Sequence, residues 1–213
     1  MPSLFGCGGT SSIPSEGVFG SKWGTEGTGA GQFDMPNGVA VAPDGSVYVS
    51  DYDNDRIQKF TSEGVFVNKW GTDGTGAGQF DGPNGVAVAP DGNVYVTEMY
   101  NFRIQKFTSA GVFVNKWGTK GTGAGQFEGA GGVAVAPDGS VYVSDYDNDR
   151  IQKFTSEGVF VNKWGTKGIG AGQFEGAGGV AVAPDGSVYV SDYDNFRIQK
   201  FTSEGVFVNK WGP

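Results

Sequence analysis

Histidine is absent from this 213-residue chain, and cysteine occurs once, as Cys7. Without histidine, the usual neutral-pH general base is missing, and so is the commonest imidazole ligand for zinc. Histidine-ligated zinc chemistry is therefore excluded. A lone cysteine excludes an internal disulfide. No apolar run approaches the ~18 residues that a membrane-crossing helix needs, so no transmembrane segment is expected, and the chain holds no Asn-x-Ser/Thr acceptor for glycosylation. Positive charge is also scarce: 15 Lys and Arg face 23 Asp and Glu, a net charge of −8. Such a surface repels phosphate backbones, so nucleic acid is not an expected partner.

What the chain has in excess is glycine, 39 residues against nine prolines, together with 14% aromatic residues. Disordered chains lack the large apolar side chains that offset chain entropy. The aromatic content therefore marks the glycines as turn punctuation in a packed protein.

A repeat of 47 residues organises the sequence, anchored by Phe33, Phe80, Phe127 and Phe174 and by Trp23, Trp70, Trp117, Trp164 and Trp211. Hydrophobicity within a copy has period two, with no helical stretch. In the first copy, GVAVAP (38–43), SVYVSD (46–51), RIQKFT (56–61) and VFVNKW (65–70) read as strands. The turns PDG (43–45), YDND (52–55) and SEG (62–64) separate them. Four short antiparallel strands joined by tight turns describe one blade of a β-propeller. The fold class is therefore all-β: four near-identical four-stranded blades, with the small Ala/Val strand at the axis and the Lys/Trp strand at the rim. Both faces of each blade are expected to be apolar, because each is sandwiched between neighbours; Val65 and Val67 belong to this reading.

The division is a leader or linker at 1–12, an extra outer strand at 13–24, and four blades at 25–213. The extra strand arises because the fourth-strand phrase, SEGVFGSKWG at 15–24, occurs five times although the sequence between occurs only four. As a latch, strand 17–23 would compete with 205–211 for the edge of 197–202. Gly20 and Ser21, which stand where other copies carry Val and Asn, weaken it in that competition.

The phrase GQFDGPNGVAVAPDGNVYV, continued by NFRIQKFTSAGVFVNKWG, resembles the NHL repeat, and the likeness runs from about 13 to 212. The family's histidine between Asn and Arg is replaced by Asp55, Phe102, Asp149 and Phe196, and Pro-Asn-Gly becomes Ala-Gly-Gly in copies three and four. The resemblance implies a ring of about six blades, so four copies fall short. Relatives with an amidating lyase activity rely on histidine, calcium-dependent lactonases on channel carboxylates, and RNA-binding members on a basic face. None of these matches this composition.

Arg56, Arg103, Arg150 and Arg197 recur in every copy, and the resemblance implies that they pair with acidic groups of their own or the next blade, a structural role. Trp70, Trp117, Trp164 and Trp211 are likewise assigned to structure. Asp51, Asp53 and Asp55, and again Asp145, Asp147 and Asp149, have the spacing of a calcium loop but lack its glycine and closing glutamate. No cofactor is expected. GTGAG (27–31) lacks the following helix that a dinucleotide-binding loop requires. The loop face collects Asp34, Asp81, Glu128 and Glu175 with Tyr52, Tyr100, Tyr146 and Tyr193, beside Asp53, Asp147 and Asp194 in the acidic turns. Tyrosines beside carboxylates suit a cationic, peptide or sugar ligand.

The expected function is a non-enzymatic binding or scaffold module that self-associates, its partners being further copies of itself or a protein or glycan ligand. The alternatives are a closed four-bladed monomer that binds through its acidic loop face, and a lactonase-like calcium-dependent hydrolase. Leu4-Phe5-Gly6-Cys7 resembles the end of a bacterial lipoprotein signal, which makes an extracellular or cell-surface location the expectation.

Overall fold

A computed structural model describes residues 20–213. The leader, Cys7 and most of the extra strand (13–19) lie outside the described residues. Blade I comprises β3 (Pro36–Val41), β4 (Val47–Asp51), β5 (Arg56–Phe60) and β6 (Phe66–Trp70), preceded by the short β1 (Thr25–Glu26) and β2 (Gln32–Phe33). Blade II comprises β7 (Pro83–Val88), β8 (Val94–Glu98), β9 (Arg103–Phe107) and β10 (Phe113–Trp117). Blade III comprises β11 (Ala130–Val135), β12 (Val141–Asp145), β13 (Arg150–Phe154) and β14 (Phe160–Trp164). Blade IV comprises β15 (Ala177–Val182), β16 (Val188–Asp192), β17 (Arg197–Phe201) and β18 (Phe207–Trp211).

Each blade is an antiparallel meander in sequence order, as tight turns between period-two strands dictate. The first strand starts two residues earlier than the hydrophobic alternation suggests. Pro36 pairs with Asp51, and a register shift separates that pair from Val39–Val49. The glycine-rich connections that lead into each blade carry a parallel pairing. Thr25 and Glu26 pair with Gln32 and Phe33, and Asp73–Phe80, Lys120–Phe127 and Lys167–Phe174 form the matching bridges.

A buried clasp explains why every copy keeps its arginine. Arg56 Nε donates to Asp51 Oδ2 at 2.6 Å, while its Nη2 donates to the carbonyls of Gly29 (2.9 Å) and Gln32 (2.7 Å). Gln58 Nε2 donates to the same Gln32 carbonyl and to Asp51, and Asp51 Oδ1 accepts from the Asp34 N–H at 2.7 Å. The carboxylate is wholly buried, so its charge is tolerated only because these donors surround it. The arginine thus ties the glycine-rich connection to the middle of its own blade. Arg103–Glu98, Arg150–Asp145 and Arg197–Asp192 repeat the pair. Burial pushes the Glu98 carboxyl above its ordinary value, against the pull of Arg103 and Asn101.

Three apolar cores lie between the blades. Tyr48, Ile57 and Ala42 of blade I meet Phe80, Val86, Val94, Val96 and Phe107 of blade II. The II–III and III–IV cores repeat this set, with Tyr95 and Ile104, then Tyr142 and Ile151, on the near side. The first strands β3, β7, β11 and β15 lie side by side in that order, and no comparable contact joins β15 to β3. The four blades therefore form an open arc. Not every blade surface is covered: Val65 and Val67 of the outer strand are more than half exposed, as are Val159 and Val206. Those outer strands are edges, and the side chains that face outward from them meet no neighbouring blade.

Candidate interaction surfaces

Every junction between consecutive blades uses one set of contacts. Tyr48 Oη donates to the Ser109 carbonyl at 3.1 Å, Lys59 Nζ to the same oxygen at 3.3 Å, and Asn68 Nδ2 to the Ala110 carbonyl at 3.1 Å. Tyr95, Lys106 and Asn115 make the same bonds to Ser156 and Glu157, and Tyr142, Lys153 and Asn162 make them to Ser203 and Glu204. At these two junctions the lysine gains a carboxylate partner, Lys106–Glu157 at 2.9 Å and Lys153–Glu204 at 3.2 Å. Burial pulls the Lys106 ammonium down, but Glu157 and Tyr95 outweigh it and hold the group above its ordinary value.

A tryptophan completes each junction by lying on a glycine of the next blade. A methyl group at Gly111 would sit 2.6 Å from the Trp70 ring, one at Gly158 2.5 Å from Trp117, and one at Gly205 2.4 Å from Trp164. These glycines have φ near +81° and bear a ring where any side chain would intrude. The first strands also approach closely. A Cβ at Gly38 would meet the Asn84 carbonyl at 2.5 Å, one at Gly85 the Gly131 carbonyl at 2.8 Å, and one at Gly132 the Gly178 carbonyl at 3.0 Å.

Blade IV presents the near half of this junction with nothing on it among the described residues. A Cβ at Gly179 would meet only Ser191 of its own blade, at 3.5 Å. Among the described residues, Tyr189, Lys200 and Asn209 have no inter-blade acceptor. Ile198 is 40% exposed where its three counterparts are fully buried, and Trp211 is 48% exposed. Blade I presents the far half: Val39 is 66% exposed whereas Val86 and Val133 are buried. Trp23 partly covers this face. A Cβ at Gly64 would meet its ring at 2.6 Å, and its centroid lies 6.3 Å from Phe60 at 50°, close to the 5.8 Å and 50° of Trp70 on Phe107. A recess of about 440 Å³ beside it is lined by Trp23, Glu26, Phe33 and Met35.

The sequence-selected loop-face residues divide by junction. Tyr52 and Tyr100 meet edge-on at 6.3 Å, and Tyr146 and Tyr193 meet at 6.3 Å. Burial first, then the Tyr100 hydroxyl, raises the Tyr52 phenol. Asp34, Asp53, Asp147 and Asp194 are exposed, while Asp81, Glu128 and Glu175 are half-buried; Glu175 lies 3.7 Å from Lys167. Burial, then Glu128, raises the Asp147 carboxyl. Asp51 and Asp145 are held by their arginines, and among the described residues no three carboxylates converge as a metal site requires.

Several residues escaped sequence reasoning. Met35, Asn37, Asn84 and Met99 line a recess of about 470 Å³ with Pro36 and Tyr52, and Asn37 Nδ2 donates to Asn84 Oδ1 at 2.8 Å. The signal was the replacement of Pro-Asn-Gly by Ala-Gly-Gly in later copies, which confines this recess to blades I and II. Tyr189, Lys200 and Asn209 were invisible for the opposite reason. Their sequence context is that of every other copy, and only the missing neighbour distinguishes them.

The NHL repeat model matches residues 33–60, 80–107, 127–154 and 174–201, one match in each blade. The chain belongs to the NHL repeat family. No curated protein matches it in sequence. Among solved structures, the NHL arc is similar to a streptogramin B lyase at 17% identity and a TM-score of 0.66, with 84% of this chain and 54% of that one covered. It is similar also to a catalytically inactive variant of virginiamycin B lyase from Staphylococcus aureus with quinupristin, at 16% identity and a TM-score of 0.65, covering 89% and 58%. A third is hydrazine synthase from Kuenenia stuttgartiensis, at 14% and 0.63, covering 82% and 48%. The chain thus spans about half the length of the solved structures it matches. These neighbours overturn the expectation that the protein is not an enzyme, since proteins of this fold include a lyase. Among the described residues no helix is long and apolar enough to cross a membrane.

Proposed function

We propose that this NHL chain is an assembly module whose open arc is completed by further blades, supplied by a second copy of itself. The observation that carries this reading is the set of unmatched groups at the two ends. Blade IV bears the same Tyr, Ile, Lys, Asn and Trp that blades I to III use to bind the next blade. Blade I bears the same Phe and Val positions that blades II to IV use to receive it. An exposed apolar sheet face is a liability unless something covers it. The contact that would cover this one occurs three times within the chain. Because the two faces differ, the contact is heterologous, and repetition gives a closed ring or an open-ended chain of blades.

Gly179 supplies the test. An added methyl group meets only Ser191 Oγ in the single chain, at an ordinary contact distance of 3.5 Å, but it would strike the first strand of a docked blade as it would at Gly38, Gly85 or Gly132. Sedimentation velocity is expected to show the wild-type chain associating and Gly179→Ala remaining monomeric with unchanged thermal stability. Equal association by both proteins would overturn the reading.

A further inference from the structure

The arc ends carry the inference furthest, and it rests on the assembly reading above. We infer that the docking surface on blade I is the turn Ser62-Glu63-Gly64, and that Trp23 occupies there the seat which Trp211 of a second copy takes on assembly.

Superposing the internal junctions on the ends gives the partners. Tyr189 and Lys200 of one copy reach the Ser62 carbonyl of the next, Asn209 reaches the Glu63 carbonyl, and Trp211 lies on Gly64. Among the described residues, no side chain from another blade donates to the Ser62 or Glu63 carbonyl. The third turn also differs between blades. Blades I, III and IV carry Glu63, Glu157 and Glu204, whereas blade II carries Ala110. Lys59 accordingly has no carboxylate partner at the I–II junction, while Lys106 and Lys153 do. The intermolecular junction would pair Lys200 with Glu63, so it belongs to the fuller type.

Trp23 holds that seat in the single chain with a reduced set of contacts. The segment before it has Ser21 where the docking asparagine stands in the other copies and Gly20 where they have valine. No tyrosine or lysine from preceding blade strands accompanies it among the described residues. Trp23 is 41% exposed, although its geometry on Phe60 is close to that of the half-buried Trp70 on Phe107. It covers the apolar face in the monomer and is weaker than the surface that replaces it. Trp23 is thereby a removable cap.

Trp23→Ala empties the seat, so it is expected to lower the concentration for half-association about tenfold, whereas Trp211→Ala is expected to abolish association. A charge exchange identifies the partner surface. Lys200→Glu and Glu63→Lys should each weaken association, and the double variant should restore it. Weaker association by Trp23→Ala would show that the N-terminal segment is part of the joint and overturn the cap. Single charge variants that associate like the wild type would overturn the docking register while leaving the assembly reading in place. A wild-type chain that stays monomeric together with Trp23→Ala would overturn both. Circular dichroism melting of each variant distinguishes lost docking from lost folding.

Discussion

At the scale of single residues, the slot before each arginine shows how backbone geometry and side-chain choice interact. Asp55, Phe102, Asp149 and Phe196 all have φ between 47° and 53°, a region that Asp tolerates and a bulky aromatic does not. Phe102 is compensated: it packs against the II–III core, and Lys120 Nζ lies 4.9 Å from its ring. Phe196 is 81% exposed and has no such support. Phe196→Asn should therefore stabilise the monomer by ~1 kcal/mol, and Phe102→Asn should destabilise it, both read from urea denaturation midpoints. Asp55 makes a second case. Burial, with Asp73, Asp81 and Asp53, raises its carboxyl above the ordinary 3.8 although the Gly82 N–H opposes this. The folded chain thus holds that proton more tightly than the unfolded chain. Its stabilising contribution is complete below about pH 3.8 and is lost as pH rises through the folded value. Asp55→Asn keeps the acceptor for Gly82 and removes this loss. It should melt higher than wild type at pH 7, and the gap should close as pH falls below 4.

The elements were largely legible in the sequence. Period-two alternation in SVYVSD and RIQKFT, bounded by PDG and SEG, located β4 and β5 to within a residue, because strand period and turn chemistry are local. The parallel bridges in the glycine-rich connections were not legible. They depend on Arg56, Gln58 and Asp51 pulling a distant backbone into place, and glycine-rich loops carry no periodicity to announce it. Nor did the alternation reveal that Val65 and Val67 would be exposed, since an outer strand has the same pattern whether or not a neighbour covers it. The inter-blade hydrogen bonds give a prediction at this scale. Tyr142→Phe removes the bond to Ser203 and should cost ~1 kcal/mol, with the phenyl ring still packed. Tyr189→Phe should leave the melting temperature of dilute protein unchanged and weaken association, measured by sedimentation.

For the whole molecule, the repeat makes stability a sum of blade terms and junction terms. Three junctions are formed within the chain, and the groups for a fourth are split between its ends. The closed four-bladed ring, an alternative that the sequence left standing, is not formed by blades I and IV: among the described residues Gly179 has no strand against it, although Gly38, Gly85 and Gly132 do. The loop face is a second surface, with its recess at the I–II junction, and assembly through the blade ends leaves it open. Assembly requires that the open ends bind each other. Light scattering of the wild-type chain over a dilution series tests it most directly. The expected weight-average mass lies above 22.2 kDa and rises with concentration; a mass of one chain at every concentration would overturn the proposal.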